Sequence, residues 1–109
     1  GQGDGNARNA SADGKPNAHL KGRKVVGDLA IPKFNEQIGG KVVVKIWVDR
    51  YGKVRNAVVD ASGTTVDNKT LWTEARNAAM RTHFSKLNNI TETTPELQEG
   101  HIIYYFTLK

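Results

Sequence analysis

Residues Gly40–Val54 read GKVVVKIWVDRYGKV, and the fold turns on how this stretch is read. Side chains of a strand alternate between its two faces. Val42, Val44, Ile46 and Val48 therefore share one face, and Val43, Lys45, Trp47 and Asp49 the other. Val, Ile and Trp favour the pleated backbone, and apolar residues on both faces predict a central strand. Asp49-Arg50-Tyr51-Gly52 follows as a turn. Asp bonds its own backbone two residues on, and Gly accepts positive φ. Lys53–Ala61 then returns as the second, antiparallel strand of a hairpin, with Val54, Ala57, Val58 and Val59 as its apolar positions.

Downstream, Ser62-Gly63 breaks the hairpin and Asp67 stands as a helix N-cap. A helix is predicted from about Asn68 to His83. Leu71, Ala75, Ala78 and Thr82 form its apolar stripe, flanked by Trp72 and Ala79. Its small residues let it lie close on a sheet, and Phe84 closes the core. Residues 85–99 are polar and carry Pro95, which predicts a long loop with at most a short helical turn near Pro95–Gln98. Gly100–Lys109 reads as a third strand. Ile102, Tyr104, Phe106 and Leu108 point one way; His101, Ile103, Tyr105 and Thr107 point the other.

Upstream, residues 1–20 hold no apolar side chain larger than Ala before Leu20. Such a segment cannot offset its ordering entropy by burial, so it is predicted as a flexible linker, with the folded domain spanning 21–109. Pro32 suits the first turn of a short helix over Lys33–Ile38, with Phe34 and Ile38 on one face and Gly39-Gly40 ending it. The expected class is α+β: a three-stranded antiparallel sheet with one main helix on one face and a short N-terminal helix.

Composition narrows function more than it assigns it. The chain has 109 residues and a formal charge of +5, enough for one domain with its own core. Five basic residues against two acidic lie within 1–24, so much of the excess is on the leading tail, which reads as a weakly basic spacer. Without Cys there are no disulfides, thiolate metal sites or Cys nucleophiles. No apolar run of membrane-spanning length and no signal-peptide pattern is present. The chain starts with Gly, so processing or a fragment is inferred, leaving room for an N-terminal anchor outside it.

The three histidines, His19, His83 and His101, show no metal spacing, and the carboxylates are scattered or explained by turns and caps. No catalytic, cofactor-binding or metal residues are assigned, and the chain is not expected to be an enzyme. Trp47, Tyr104, Tyr105 and Phe106 could suggest base stacking, but basic residues do not cluster around them. They are read instead as core and cross-strand partners. No nucleic-acid partner is expected. The remaining feature is the last strand, whose outer row of backbone groups invites a foreign strand. Within that strand, a proline at Tyr104 is expected to abolish pairing by removing a donor.

Taken in order, Gly40–Val54, the helix segment Glu74–Phe84 (EARNAAMRTHF) and Gly100–Leu108 (GHIIYYFTL) resemble the C-terminal domain of TonB-family energy transducers, in the form common in Bacteroidetes-type bacteria. The likeness covers roughly residues 29–108. It implies a periplasmic protein-binding module, anchored to the inner membrane by a segment outside this chain. The peptide site carried over is the last strand: His101, Ile102, Ile103, Tyr104, Tyr105, Phe106, Thr107 and Leu108. Implied partners are an extended peptide of an outer-membrane TonB-dependent transporter and, through the missing segment, inner-membrane motor proteins, for energy transduction and transport across the cell envelope. Two alternatives stay open: a structural or regulatory appendage of a membrane sensor or peptidase, and a strand-exchanged homodimer.

Overall fold

The computed structural model describes residues 17–32 and 39–106. The α+β class holds, with one α-helix against one face of an antiparallel sheet. Among the described residues the sheet has four strands rather than three: β1 (Asn17–His19), β2 (Gly40–Asp49), β3 (Val54–Val59) and β4 (Leu97–Phe106), in the order β1-β4-β2-β3. The helix α1 (Lys69–Met80) crosses over between β3 and β4. The short helix expected over Lys33–Ile38 lies outside the described residues, as do positions 1–16 and 107–109.

β2 is the central strand, paired along its whole length with β4 and on its other side with β3. Val42, Val44, Ile46 and Val48 are buried on the helix side, opposite Tyr104, Ile102, Gly100 and Gln98 respectively. The hairpin holds one irregularity that periodicity does not show. Trp47 faces Asn56 and Val48 faces Val54, so Arg55 is an extra residue in β3. This bulge resets the phase of the strand. That is why Val54 and Ala57, three apart, are both buried while Val58 is 48% exposed. Val58 is thus not a core position.

Under β2 and β3 lie Leu71, Ala75, Ala78 and Ala79 of α1, with Leu20, Val66 and Phe84 around them. The helix starts one residue later than expected. Asn68, not Asp67, is the N-cap, and its side-chain oxygen accepts from the Leu71 N–H at 3.0 Å. It also ends earlier, at Met80. Thr82 leaves the helix but stays buried, its hydroxyl donating to the Ala78 carbonyl. His83 and Phe84 instead form bridges to Lys53 and Val25. Trp72 Nε1 donates to the Val66 carbonyl at 2.6 Å, and the Lys69 ammonium sits 3.7 Å over its ring.

β4 begins at Leu97, so the long connection is shorter than expected, and the segment 97–99 is strand rather than loop or helical turn. Pairing decides this: Leu97, Gln98 and Glu99 face Asp49, Val48 and Trp47.

One core polar group is unsatisfied. The Tyr104 hydroxyl is buried with no hydrogen-bond partner among the described residues. Burial pushes this phenol well above its ordinary range. The Thr82 hydroxyl lies near but donates to Ala78 and does not meet hydrogen-bond geometry with Tyr104, so it and Arg81 oppose the shift only in part. Removing an unpartnered buried hydroxyl sacrifices no bond. Tyr104→Phe is therefore expected to leave stability unchanged or raise it by up to about 1 kcal/mol. Urea denaturation reads this; a loss of more than 1 kcal/mol would show that the hydroxyl has a partner after all.

Candidate functional site: the outer side of the last strand

The hydrogen-bonding sides of the strands follow from β2. The Lys41 and Val43 N–H groups donate to the Thr65 and Thr64 hydroxyls, each at 2.9 Å. Their carbonyls accept from Thr65 and Val66, and from Asp60, respectively. Odd-numbered β2 residues therefore turn their backbone toward β3, and even-numbered ones toward β4. Across the pairs Val42–Tyr104 and Val44–Ile102, the backbones of Ile102, Tyr104 and Phe106 face inward to β2. Those of His101, Ile103 and Tyr105 face outward.

This alternation sorts the residues assigned to peptide binding. Ile102, Tyr104 and Phe106 are core side chains with inward backbones. His101, Ile103 and Tyr105 are half-exposed on the face away from α1. Thr107 and Leu108 lie outside the described residues. A proline at Tyr104 would consequently break the β2–β4 ladder rather than the edge, and the test position moves to Tyr105.

Two expectations are corrected here. The last strand is not a bare edge at His101, Ile102 and Ile103, because β1 pairs there antiparallel: Asn17 with Ile103, Ala18 with Ile102 and His19 with His101. The flexible linker expected over 1–20 also stops short of its expected end. Residues 17–19 are strand, and Leu20 is a buried core residue. Sequence reading missed Ala18, His19, Leu20 and Gly100 as parts of this site. A signal was present: Ala18 and Leu20 alternate with polar Asn17 and His19.

Gly100 makes room for β1. A Cβ there would lie 2.5 Å from the His19 carbonyl oxygen and 2.8 Å from Leu20 Cδ1. The notch lets Leu20 reach the core beside β4. On the opposite face the His19 and His101 rings stack, centroids 4.7 Å apart. Burial and the neighbouring His19 both hold the His101 imidazole below its ordinary range, with Asp60 opposing. Beyond Ile103, no described residue pairs with the outward backbone of Tyr105.

The far edge of the sheet is closed at its middle. By the same alternation Ala57 and Val59 turn their backbones outward from β3, and side chains cover the first of them. The Ala57 N–H donates to the Asn56 side chain and its carbonyl accepts from Arg76 Nε, both at 2.9 Å. Past the end of β3, Thr64 and Thr65 satisfy β2. A foreign strand would meet an interrupted ladder there, a common way to blunt an edge.

No chemistry-bearing cluster competes with the strand edge. Among the described residues no group of three or more His, Asp or Glu side chains is placed to hold a metal. Trp47 and Tyr105 lie half-buried on the open sheet face, where a shallow hollow of about 320 Å³ is lined by Val43, Lys45, Asp60, Gly100, His101 and Ile103, with Glu99 at its margin. No described helix is long and apolar enough to cross a membrane. Compared with protein-family models, characterised proteins and solved structures, the chain matches none.

Proposed function

We propose that this domain is a protein-binding module that takes an extended peptide as an added strand on the outer side of β4. In the role its sequence resembles, it serves a TonB-like transducer in the periplasm. The peptide then belongs to an outer-membrane transporter, and the pairing carries force from inner-membrane motor proteins. The observation that supports this reading is an asymmetry between the two sheet edges. Side chains close β3 at Ala57, whereas three residues of β1 are the described cover of the ten-residue β4. Main-chain bonds at the edge would supply affinity, and the half-exposed side chains of His101, Ile103 and Tyr105 selectivity.

The test is a screen of displayed extended decapeptides against the domain, followed by amide mapping of any binder. The Ile103 and Tyr105 amides are expected to shift most. Tyr105→Pro removes the outward donor without touching the β2 ladder, and should weaken binding about tenfold or more with the fold retained. A peptide whose footprint falls on α1 or β3 would sink the proposal.

A further inference from the structure

Resting on that reading, we infer that β1 is a placeholder: a strand of the chain's own that occupies the partner's site, and whose pattern describes the peptide the site accepts. The pattern is a small apolar residue facing the core, then a larger aliphatic two positions on, with polar residues between.

Three observations carry this. First, among the described residues β1 spans three positions and pairs with β4 alone. Second, its seating is specific. Ala18 packs against the core opposite Ile102, and Leu20 enters the notch at Gly100. A strand with a bulky residue in place of Ala18, or without an aliphatic in place of Leu20, would fit worse. Third, the chain is anchored just downstream of β1 by a separate set of bonds. The Arg23 guanidinium donates to the carbonyls of Asp49 and Ser85, and Val26 N–H donates to the His83 carbonyl. Residues 17–20 can therefore leave β4 while residues 23–26 stay bound. The short tether also explains why so small a strand holds its place: the local concentration of a strand on a short flexible link is of millimolar order.

A partner must compete with this occupant, so its apparent affinity falls by the fraction of time the edge is open. The probe is a synthetic peptide of residues 15–22, KPNAHLKG, added to the full chain. His19→Pro removes the β1 donor that faces His101 and should release β1. Amides of His101 and Ile103 should lose exchange protection while those of Ile102 and Tyr104 keep it. The peptide should then bind this variant at least tenfold more tightly than the unaltered chain. The double variant His19→Cys/His101→Cys staples β1 in a chain with no other Cys. Oxidised it should bind no peptide, and reduced it should bind again.

Continued protection of His101 and Ile103 in His19→Pro overturns the inference. So does a released edge that ignores the peptide, or an oxidised staple that still binds. The two readings separate cleanly. A released edge that takes KPNAHLKG while no foreign decapeptide binds leaves the placeholder standing and removes the proposed function. A foreign peptide that binds the oxidised staple on β4 does the reverse.

Discussion

Gly52→Ala is expected to cost about 3–5 kcal/mol, because the added methyl group meets both backbone strain and a backbone overlap. Gly52 closes the β2–β3 turn with φ +95°, a conformation that L side chains rarely adopt. The strain of that backbone alone costs roughly 1–2 kcal/mol. Space is the larger matter. The new Cβ would overlap the backbone carbonyl of Phe84, which cannot swing aside as a flexible side chain would. Phe84 N–H also donates to the Gly52 carbonyl at 2.8 Å, and the Phe84 ring is buried in the core. Relieving the overlap means parting the turn from the segment after α1, losing that bond and loosening the ring. Total stability of a small domain is about 5–15 kcal/mol, so the variant should be largely unfolded or melt far below the parent. Thermal and urea melts decide it. The neighbouring Tyr51→Ala is the control: Tyr51 is 75% exposed and should change stability by less than about 0.5 kcal/mol. Equal effects at the two positions would refute this account of the turn.

Replacing Arg23 by methionine should cost about 3 kcal/mol or more. Arg23 is only 8% exposed, unusual for a residue that stays charged. Its guanidinium reaches three segments at once: the Asp49 carbonyl at 2.7 Å, the Ser85 carbonyl at 2.9 Å and Gln98 Oε1 at 3.3 Å. Gln98 in turn donates to the Lys21 carbonyl at 2.8 Å. The turn of the hairpin, the exit from α1, the start of β4 and the N-terminal segment thus meet on one side chain. Burial lowers the Arg23 pKa, and the nearby Asp49 charge offsets this only in part. The Asp49 carboxylate is already engaged by the Tyr51 and Lys53 amides and lies 3.6 Å from Arg55. What holds Arg23 is therefore a set of carbonyl dipoles. Methionine fills much of the volume but leaves the Ser85 carbonyl without its guanidinium donor and the Asp49 carbonyl with the Gly52 N–H alone. Lysine keeps the charge yet cannot span three acceptors with one ammonium, so Arg23→Lys should recover only part of the loss. Denaturation midpoints for the pair give the answer. A methionine variant as stable as the parent would show that the network is incidental.

Arg23 also bears on the proposed mechanism. A domain that exchanges one of its own strands for a partner must keep that exchange local. The bonds at residues 23–26 hold the chain just downstream of β1 independently of the β1–β4 pairing, as the proposed exchange requires. An Arg23 variant is accordingly expected to weaken both, whereas His19→Pro touches β1 alone.

Much of the architecture was legible because it is local. The alternation of Val42 through Val48 reports burial within one strand, and Asp49 with Gly52 reports a turn within four residues. The stripe of Leu71, Ala75 and Ala78 does the same for the helix, and Ile102, Tyr104 and Phe106 for β4. Each is a short-range pattern, set by the repeat of the backbone itself. The bulge at Arg55 was not legible, since an extra residue is defined only against the strand it faces. The start of β4 at Leu97 depended likewise on the unbroken length of β2, in a stretch where polar composition suggested loop.

By itself, then, the order of amino acids determined a helix-backed sheet centred on Gly40–Asp49 and closed by a last strand at its C-terminal end. Only the tertiary structure decided which backbone groups remain open. β1 covers His101–Ile103, Asn56 and Arg76 cover β3 at Ala57, and Arg23 ties its own segment to three distant ones. The physical reason is that edges and networks are made from main-chain groups every residue carries. Their state depends on what packs beside them, and nothing in the periodicity of side chains records that.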